Sequence, residues 1–501
     1  MEPAHYHIIE KVYVDVDTTD IHNANWLNNN IGEFLKNEVF PQIELLLDDC
    51  NLPESILRYD KIELDLSLRE KIDFEKLKNN IVRQMENKLK SQIDSLSPGT
   101  IQNAAVEIQD QKVKSFSHHQ NFESVFLFFL SNGHFPWYEN RSRFENHLST
   151  ENWNKHLQNK TFTERLASLL VDEVNAASRF ITQFHDETIF TYLEKLKPVL
   201  TSYKSEIFSF SKNANAEVRQ IFWLMLVHLA ISDNNGLVEK SLSSIGFMLR
   251  TKTGKNSFED ESNFNDWVHF YELIENVLPR AIFKNLKIEL PNHFKDKLFR
   301  KENTADWADP EKILGQNQKS EDFISKQELP FFEAGESEIA VQNSGLILLH
   351  PFIQRFFVQT GIAGNNGVIF SGEKDLAIQA LHYLATGQED FFEADLVFEK
   401  FLCSVPLKMP VQRQSLLTEQ VKAESETLLK NVISHWGALK NSSPDGLREA
   451  FLQRNGKLKI KDEMATLQVE RKAYDVLLEK LPWNISMVKL PWFKKLIFVE
   501  W

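Results

Sequence analysis

Cysteine is almost absent. Cys50 and Cys403 are the two present in 501 residues, too few for a disulfide framework, so both read as buried free thiols. Excess positive charge is missing too: the formal net charge is −14, against what a general nucleic-acid binder needs to neutralise phosphates. No stretch approaches the roughly 18 apolar residues that span a bilayer. The opening run MEPAHYHIIEKVYVDVD has no basic region followed by an apolar one. The expectation is therefore cytoplasmic synthesis and assembly, without membrane insertion, with any later transport inside a larger particle.

The usual chemical signatures are missing as well. There is no HExxH, CxxC, Walker A loop or GxSxG. Acidic pairs such as Asp48 and Asp49 are common in so acidic a chain, and nothing marks one for acid/base work. His118 and His119 have no further ligands at metal spacing. Gly361, Gly364 and Gly367 imitate a dinucleotide fingerprint, but no strand precedes them and they read as a loop. The chain is expected not to be an enzyme and to need neither cofactor nor metal.

What is present is a globular composition with 38 phenylalanines, which predicts packed helical layers with aromatic cores. Val12, Val14 and Val16 alternate with polar neighbours over Lys11 to Asp17, and Ile62, Leu64 and Leu66 do so within Arg58 to Ser67, so both read as half-buried strands. Between them lies a helical stretch interrupted near Pro41. Phe74, Leu77, Ile81, Met85, Leu89 and Ile93 share one helix face. Residues 1–95 thus read as a small α+β unit, and the polar run 96–120 as a linker. Residues 121–300 read as a helical domain, with a short buried helix from Phe122 to Leu130 stopped by Gly133, and amphipathic segments at Leu166 to Asn175, Val218 to Ile231 and Trp267 to Leu278. A second polar linker, 301–336, leads to a Trp-rich module at 337–501. Helices are expected there at Asp375 to Thr386, closed by Gly387, at Ala394 to Val405, and at Thr418 to Lys440 with Leu428, Leu429, Val432, Ile433 and Trp436 as its buried stripe, with strands at Lys457 to Ile460 and Leu467 to Glu470. The fold class is α+β, predominantly helical: a small N-terminal α+β unit, a central helical bundle and a C-terminal α+β module.

The dipeptide Pro-Trp occurs three times, at Pro136-Trp137, Pro482-Trp483 and Pro491-Trp492. Proline fixes φ and tryptophan supplies a large flat surface with one N–H donor, so each copy suits a core staple or a docking anchor. The ending LPWNISMVKLPWFKKLIFVEW concentrates them. Trp483, Trp492, Phe493 and Trp501 are candidate interaction anchors, with Trp137 beside them.

Several runs resemble a known family. NSGLILLHPFIQRFF (Asn343 to Phe357), LHYLATG (Leu381 to Gly387), KFLCSVP (Lys400 to Pro406), HWGALKNSSPDGLREAFLQRNGKL (His435 to Leu458) and the stretch from Asp475 to Trp501 are similar to tape measure proteins of contractile injection systems. These are phage-tail-like machines of Bacteroidetes-type genomes. HIIEKVYVDVD, KIELDLS and FFLSNGHFPWY also have counterparts there, so the resemblance spans nearly the whole chain. It implies a structural or assembly component acting in tube or tail assembly or length control. The implied partners are tube, baseplate or cap proteins, with homo-oligomerisation open and no nucleic acid. The alternative is an assembly chaperone or binding module that does not enter the particle.

Overall fold

The structure, a computed structural model, describes residues 7–18, 21–50, 55–66, 73–95, 106–108, 111–214, 216–231, 338–461 and 464–501. The segment expected at Trp267 to Leu278 and the tract 301–336 lie outside the described residues. The fold is predominantly helical α+β, and the chain divides into two units, Met1–Val125 and Phe126–Trp501.

In the first unit, α1 (Ile21–Phe34) passes through a π turn at Leu35–Val39 into α2 (Phe40–Asp49). Pro41 explains the wide turn: it lacks an N–H and crowds the preceding carbonyls, and Phe40 N–H donates to Leu35 O. Proline here redirects the helix instead of ending it. Val39 and Ile43 pack against Leu77, Ile81, Met85 and Leu89 of α3 (Phe74–Ser95), the stripe read from the sequence. A three-stranded antiparallel sheet has the order β1 (Ser55–Tyr59), β3 (Gln111–Ser117), β2 (Val106–Ile108). Part of the polar run expected to be a linker therefore forms strands, because backbone pairing with β1 gives it a ladder that its weak side-chain pattern did not advertise.

The expected strand at Lys11 to Asp17 is not formed; Val12, Val14 and Val16 are exposed. The second expected strand stops at Tyr59, and residues 61–66 continue without strand structure. A strand needs a neighbouring ladder. Here the carbonyls of Glu63 and Asp65 accept instead from the α3 side chains Lys88 and Gln84.

Helix α4 (His118–Asn132) starts with the two histidines of the polar run. In the second unit follow α5 (Arg141–Asn146), α6 (Thr150–Gln158), α7 (Lys160–Asp172), α8 (Val174–Gln183), α9 (Asp186–Leu196), α10 (Lys204–Asn213) and α11 (Ala216–Ile231). The amphipathic segment expected at Leu166 to Asn175 is split at Glu173, whose backbone is extended. An aromatic core joins these helices: the Phe126 ring lies within 5.0–6.2 Å of Trp153, Phe144, Phe162, Phe180 and Phe184. This is the use that the phenylalanine content foretold.

After residue 337 come β4 (Ile339–Val341) and helices His350–Gln359, Lys374–Thr386, Val397–Leu402 and Glu419–His435. Gly387, at φ 70°, closes the second of these in the left-handed region, and the Thr418 hydroxyl accepts from Val421 N–H at the start of the last. Leu428, Leu429, Val432, Ile433 and Trp436 are buried as the sequence stripe implied. Strands β5 (Gly456–Lys461), β6 (Met464–Val469), β7 (Met487–Val488) and β8 (Leu496–Glu500) complete a sheet ordered β4-β5-β6-β8-β7. The pair β6 and β8 is parallel, the others antiparallel.

The helices α4–α11 and the C-terminal module are locked together by a buried ionic group. Arg179, Glu393 and Lys400 are all 0% exposed. Glu393 Oε1 lies 3.1 Å from Arg179 Nε and accepts from Lys400 Nζ. The remaining donors reach backbone carbonyls: Arg179 to Leu130 and Lys408, Lys400 to Leu407 and Met409. Burial pulls the Lys400 ammonium down to about 8, against the opposing pull of Glu393. Gln183 extends the seam, donating to Val411 O at 2.8 Å and accepting from Glu393 N–H at 3.0 Å. Phe392 inserts its ring against Phe129 at 4.8 Å and Phe135 at 5.8 Å. Gly133, at φ 79°, lies where a Cβ would meet Leu407 O at 2.5 Å, so only glycine lets the chain approach this closely.

A second buried group sits nearby. Asp395 accepts from Gln342 Nε2 at 3.1 Å and lies 3.4 Å from Arg141 Nη1. Glu399 accepts from Asn343 Nδ2 at 2.8 Å. Burial pushes the Asp395 carboxyl from 3.8 up to about 6.

Two outcomes follow. Glu393→Gln leaves two buried cations without their anion and should cost about 3–5 kcal/mol of stability, read as a lower urea midpoint by tryptophan fluorescence; an unchanged midpoint would show the seam to be dispensable. For Asp395, the folded group keeps a proton that the unfolded one loses, so its stabilising contribution is present below pH 3.8 and lost as pH rises through about 6. Asp395→Asn should therefore raise stability at pH 7, by on the order of 3 kcal/mol at most, and flatten the slope between pH 4 and 6 in unfolding series.

Candidate interaction surface

The last thirty residues are tied back onto the C-terminal core by their indoles. Trp483 Nε1–H donates to Leu348 O at 3.0 Å, with its ring 5.1 Å from Phe352. Trp492 Nε1–H donates to Leu402 O at 2.8 Å, its ring 5.4 Å from Phe357. Phe493 is buried edge-on to Phe401 at 4.8 Å. The carbonyls that receive these indoles belong to the end of a 3-10 turn (Leu348) and the end of a helix (Leu402), positions where backbone acceptors lack internal donors. The proline before each tryptophan fixes the approach of the chain.

Trp501 closes a separate clasp. Its Nε1–H donates to Asp475 Oδ2 at 3.0 Å, while Arg454, itself 0% exposed, donates to Asp475 Oδ1 at 2.7 Å and to the carbonyls of Ala450 and Glu470. The Arg454 guanidinium lies 4.9 Å from the Tyr474 ring centre and 5.8 Å from that of Trp501. A desolvated cation packed between aromatic faces gains from both rings. Sequence reasoning missed Arg454 and Asp475, which are 21 positions apart and carry no motif.

Trp137 differs from the other four. It is 45% exposed, stands edge-on to Tyr138 at 5.5 Å, and lies within a turn closed by Glu139 N–H on Pro136 O. The structure thus brings Trp483, Trp492 and Phe493 onto one core, sets Trp501 against Arg454, and leaves Trp137 with its ring open to solvent. The glycine-rich run is a turn: Gly361 and Gly367 have φ of 75° and 79°, and Gly364 N–H donates to Val368 O at 3.1 Å.

These placements separate two kinds of variant. Deleting Leu490–Trp501 removes Leu490, Phe493 and Ile497, all buried, and should give aggregated protein in sedimentation assays; a soluble, cooperatively folding truncation would contradict the staple role. Trp137→Ala should change stability by less than about 0.5 kcal/mol, as surface substitutions do, in the same unfolding assay.

Among the described residues no helix is long and apolar enough to cross a membrane. No curated protein and no solved structure matches the chain. The family model described as contractile injection system tape measure protein matches residues 6–501. Nearly the whole chain is covered, and the protein belongs to the contractile injection system tape measure protein family.

Proposed function

We propose that this chain is a structural component of a contractile injection system that acts in tube or tail assembly, or in length control, through protein contacts. The observation that carries the reading is the family match over residues 6–501. Its partners in this reading are tube, baseplate or cap proteins, and assembly takes place in the cytoplasm. Trp137 is the anchor that docks directly, because a half-exposed indole offers large area at little entropic cost. Trp483, Trp492, Phe493 and Trp501 act indirectly, by holding the C-terminal module in the shape that partners meet.

The compact packing within each of the two units favours a second reading, an assembly chaperone that loads or positions components without entering the particle. Drawn out as one helix, 501 residues would reach roughly 750 Å at 1.5 Å per residue. A chain folded back on itself gives up most of that reach.

Mass spectrometry of purified intact particles separates the two. The structural reading expects the chain in particles at fixed stoichiometry; its presence in lysates and absence from particles would leave the chaperone. Inserting residues into the tract 301–336 and measuring tubes by electron microscopy tests whether the chain is a ruler: a ruler expects the length distribution to shift with the insertion, and a folded component acting through its surfaces expects it unchanged.

A further inference from the structure

The C-terminal sheet has one face on the core and one face off it. Strand register assigns every residue. Ile339, Leu458 and Leu467 lie in one inward row and Ala465, Ile497 and Val488 in another, all buried. The alternate positions face away. There Lys461, Met464 and Leu496 form one row across the strands, and Lys459, Thr466, Phe498 and Met487 form the next. Lys457, Gln468 and Glu500 form a third.

These rows sort by chemistry. Met464 and Met487 are 50% and 53% exposed, and Leu496 and Phe498 are half-buried, so β6, β8 and β7 present a continuous apolar patch. Beside it Lys457, Lys459 and Lys461 occupy successive outward positions of β5, about 7 Å apart along the strand. Among the described residues, Glu338 lies 3.6 Å from Lys459, and Glu500 accepts from Gln468. In a chain of net charge −14, a lysine column flanking an apolar patch is a local reversal of sign.

We propose that this sheet face docks an amphipathic helix of another injection-system protein, its apolar stripe seated on Met464, Leu496, Phe498 and Met487 and its acidic flank along Lys457, Lys459 and Lys461. A helix is the element that covers the open face of a sheet, and methionine surfaces adapt to a helix ridge. Charge complementarity selects the partner: carboxylates on one side of the stripe meet the lysine column, as acidic and basic surfaces do in steered association. A second copy meeting this face with its own would set one lysine column against another. The inference rests on the chain being a component or assembly factor of such a system.

The test places benzoylphenylalanine at position 487 in the full-length chain, expressed with the rest of the injection system, with position 137 as a second crosslinking site. Mass spectrometry first establishes whether the chain and other system proteins co-purify, which tests the functional reading on its own. The expected result is a crosslink from position 487 to a segment of another system protein with apolar residues at helical spacing and Asp or Glu on one flank. The double variant Lys459→Glu, Lys461→Glu should reduce that crosslink at least tenfold at low salt, with far-ultraviolet circular dichroism unchanged, and charge reversal on the partner segment should restore it. Co-purification without a crosslink from position 487, a crosslink to a second copy of this chain, to lipid or to nucleic acid, or a yield indifferent to the charge reversal, would each overturn the proposal.

Discussion

The second unit depends on a charged group that no water reaches. Arg179 lies on α8, while Glu393 and Lys400 lie in the C-terminal module, more than two hundred residues further on, and all three are fully buried. Taking three charges out of water is expensive, and such groups do little for net stability compared with well-packed apolar residues. What they contribute is selectivity. Two cations share one carboxylate, and their other donors end on the carbonyls of Leu130, Leu407, Lys408 and Met409. An arrangement that shifts the helices relative to the module leaves at least one buried charge unanswered, which costs far more than a lost apolar contact. Gly133 and the ring of Phe392 then fill the geometry that this group sets.

Much of the second unit was legible in sequence because its elements are locally consistent. Gly387, Thr418 and the stripe from Leu428 to Trp436 mark helices by caps and period, and those signals need no knowledge of distant residues. The first unit was less legible for the opposite reason. Val12, Val14 and Val16 alternate as a strand should, yet a strand exists only where another backbone lies alongside, and β1 finds that partner in the polar run that ends at Ser117. Pattern reports which faces are apolar, not which segment arrives to pair.

The indole anchors show the same limit at the level of the site. A Pro-Trp pair signals a rigid aromatic placement. Whether the ring faces a partner or its own core depends on whether an acceptor is waiting. Leu348 and Leu402 supply such acceptors to Trp483 and Trp492, and the ring of Trp137 stands open instead. Arg179 and Gln183 did carry a trace of their role, since polar residues four apart on the face of Phe180 and Phe184 must be answered from outside the helix. The identity of the answering residues was not in the local sequence.

Size scaling connects this architecture to the proposed role. In an extended helix each added residue adds about 1.5 Å, so length follows residue count. In a folded body the radius grows only as about the 0.38 power of chain length, so doubling the chain enlarges it by about 30%. The second unit is held in the folded regime by contacts between positions far apart in sequence: β4 pairs with β5, Trp492 reaches back to Leu402, and Arg179 reaches forward to Glu393. Residues added within such a body swell it and leave its reach nearly unchanged. In the proposed role such a body acts through what its surfaces hold, and the buried seam matters because it keeps those surfaces at fixed positions within the unit.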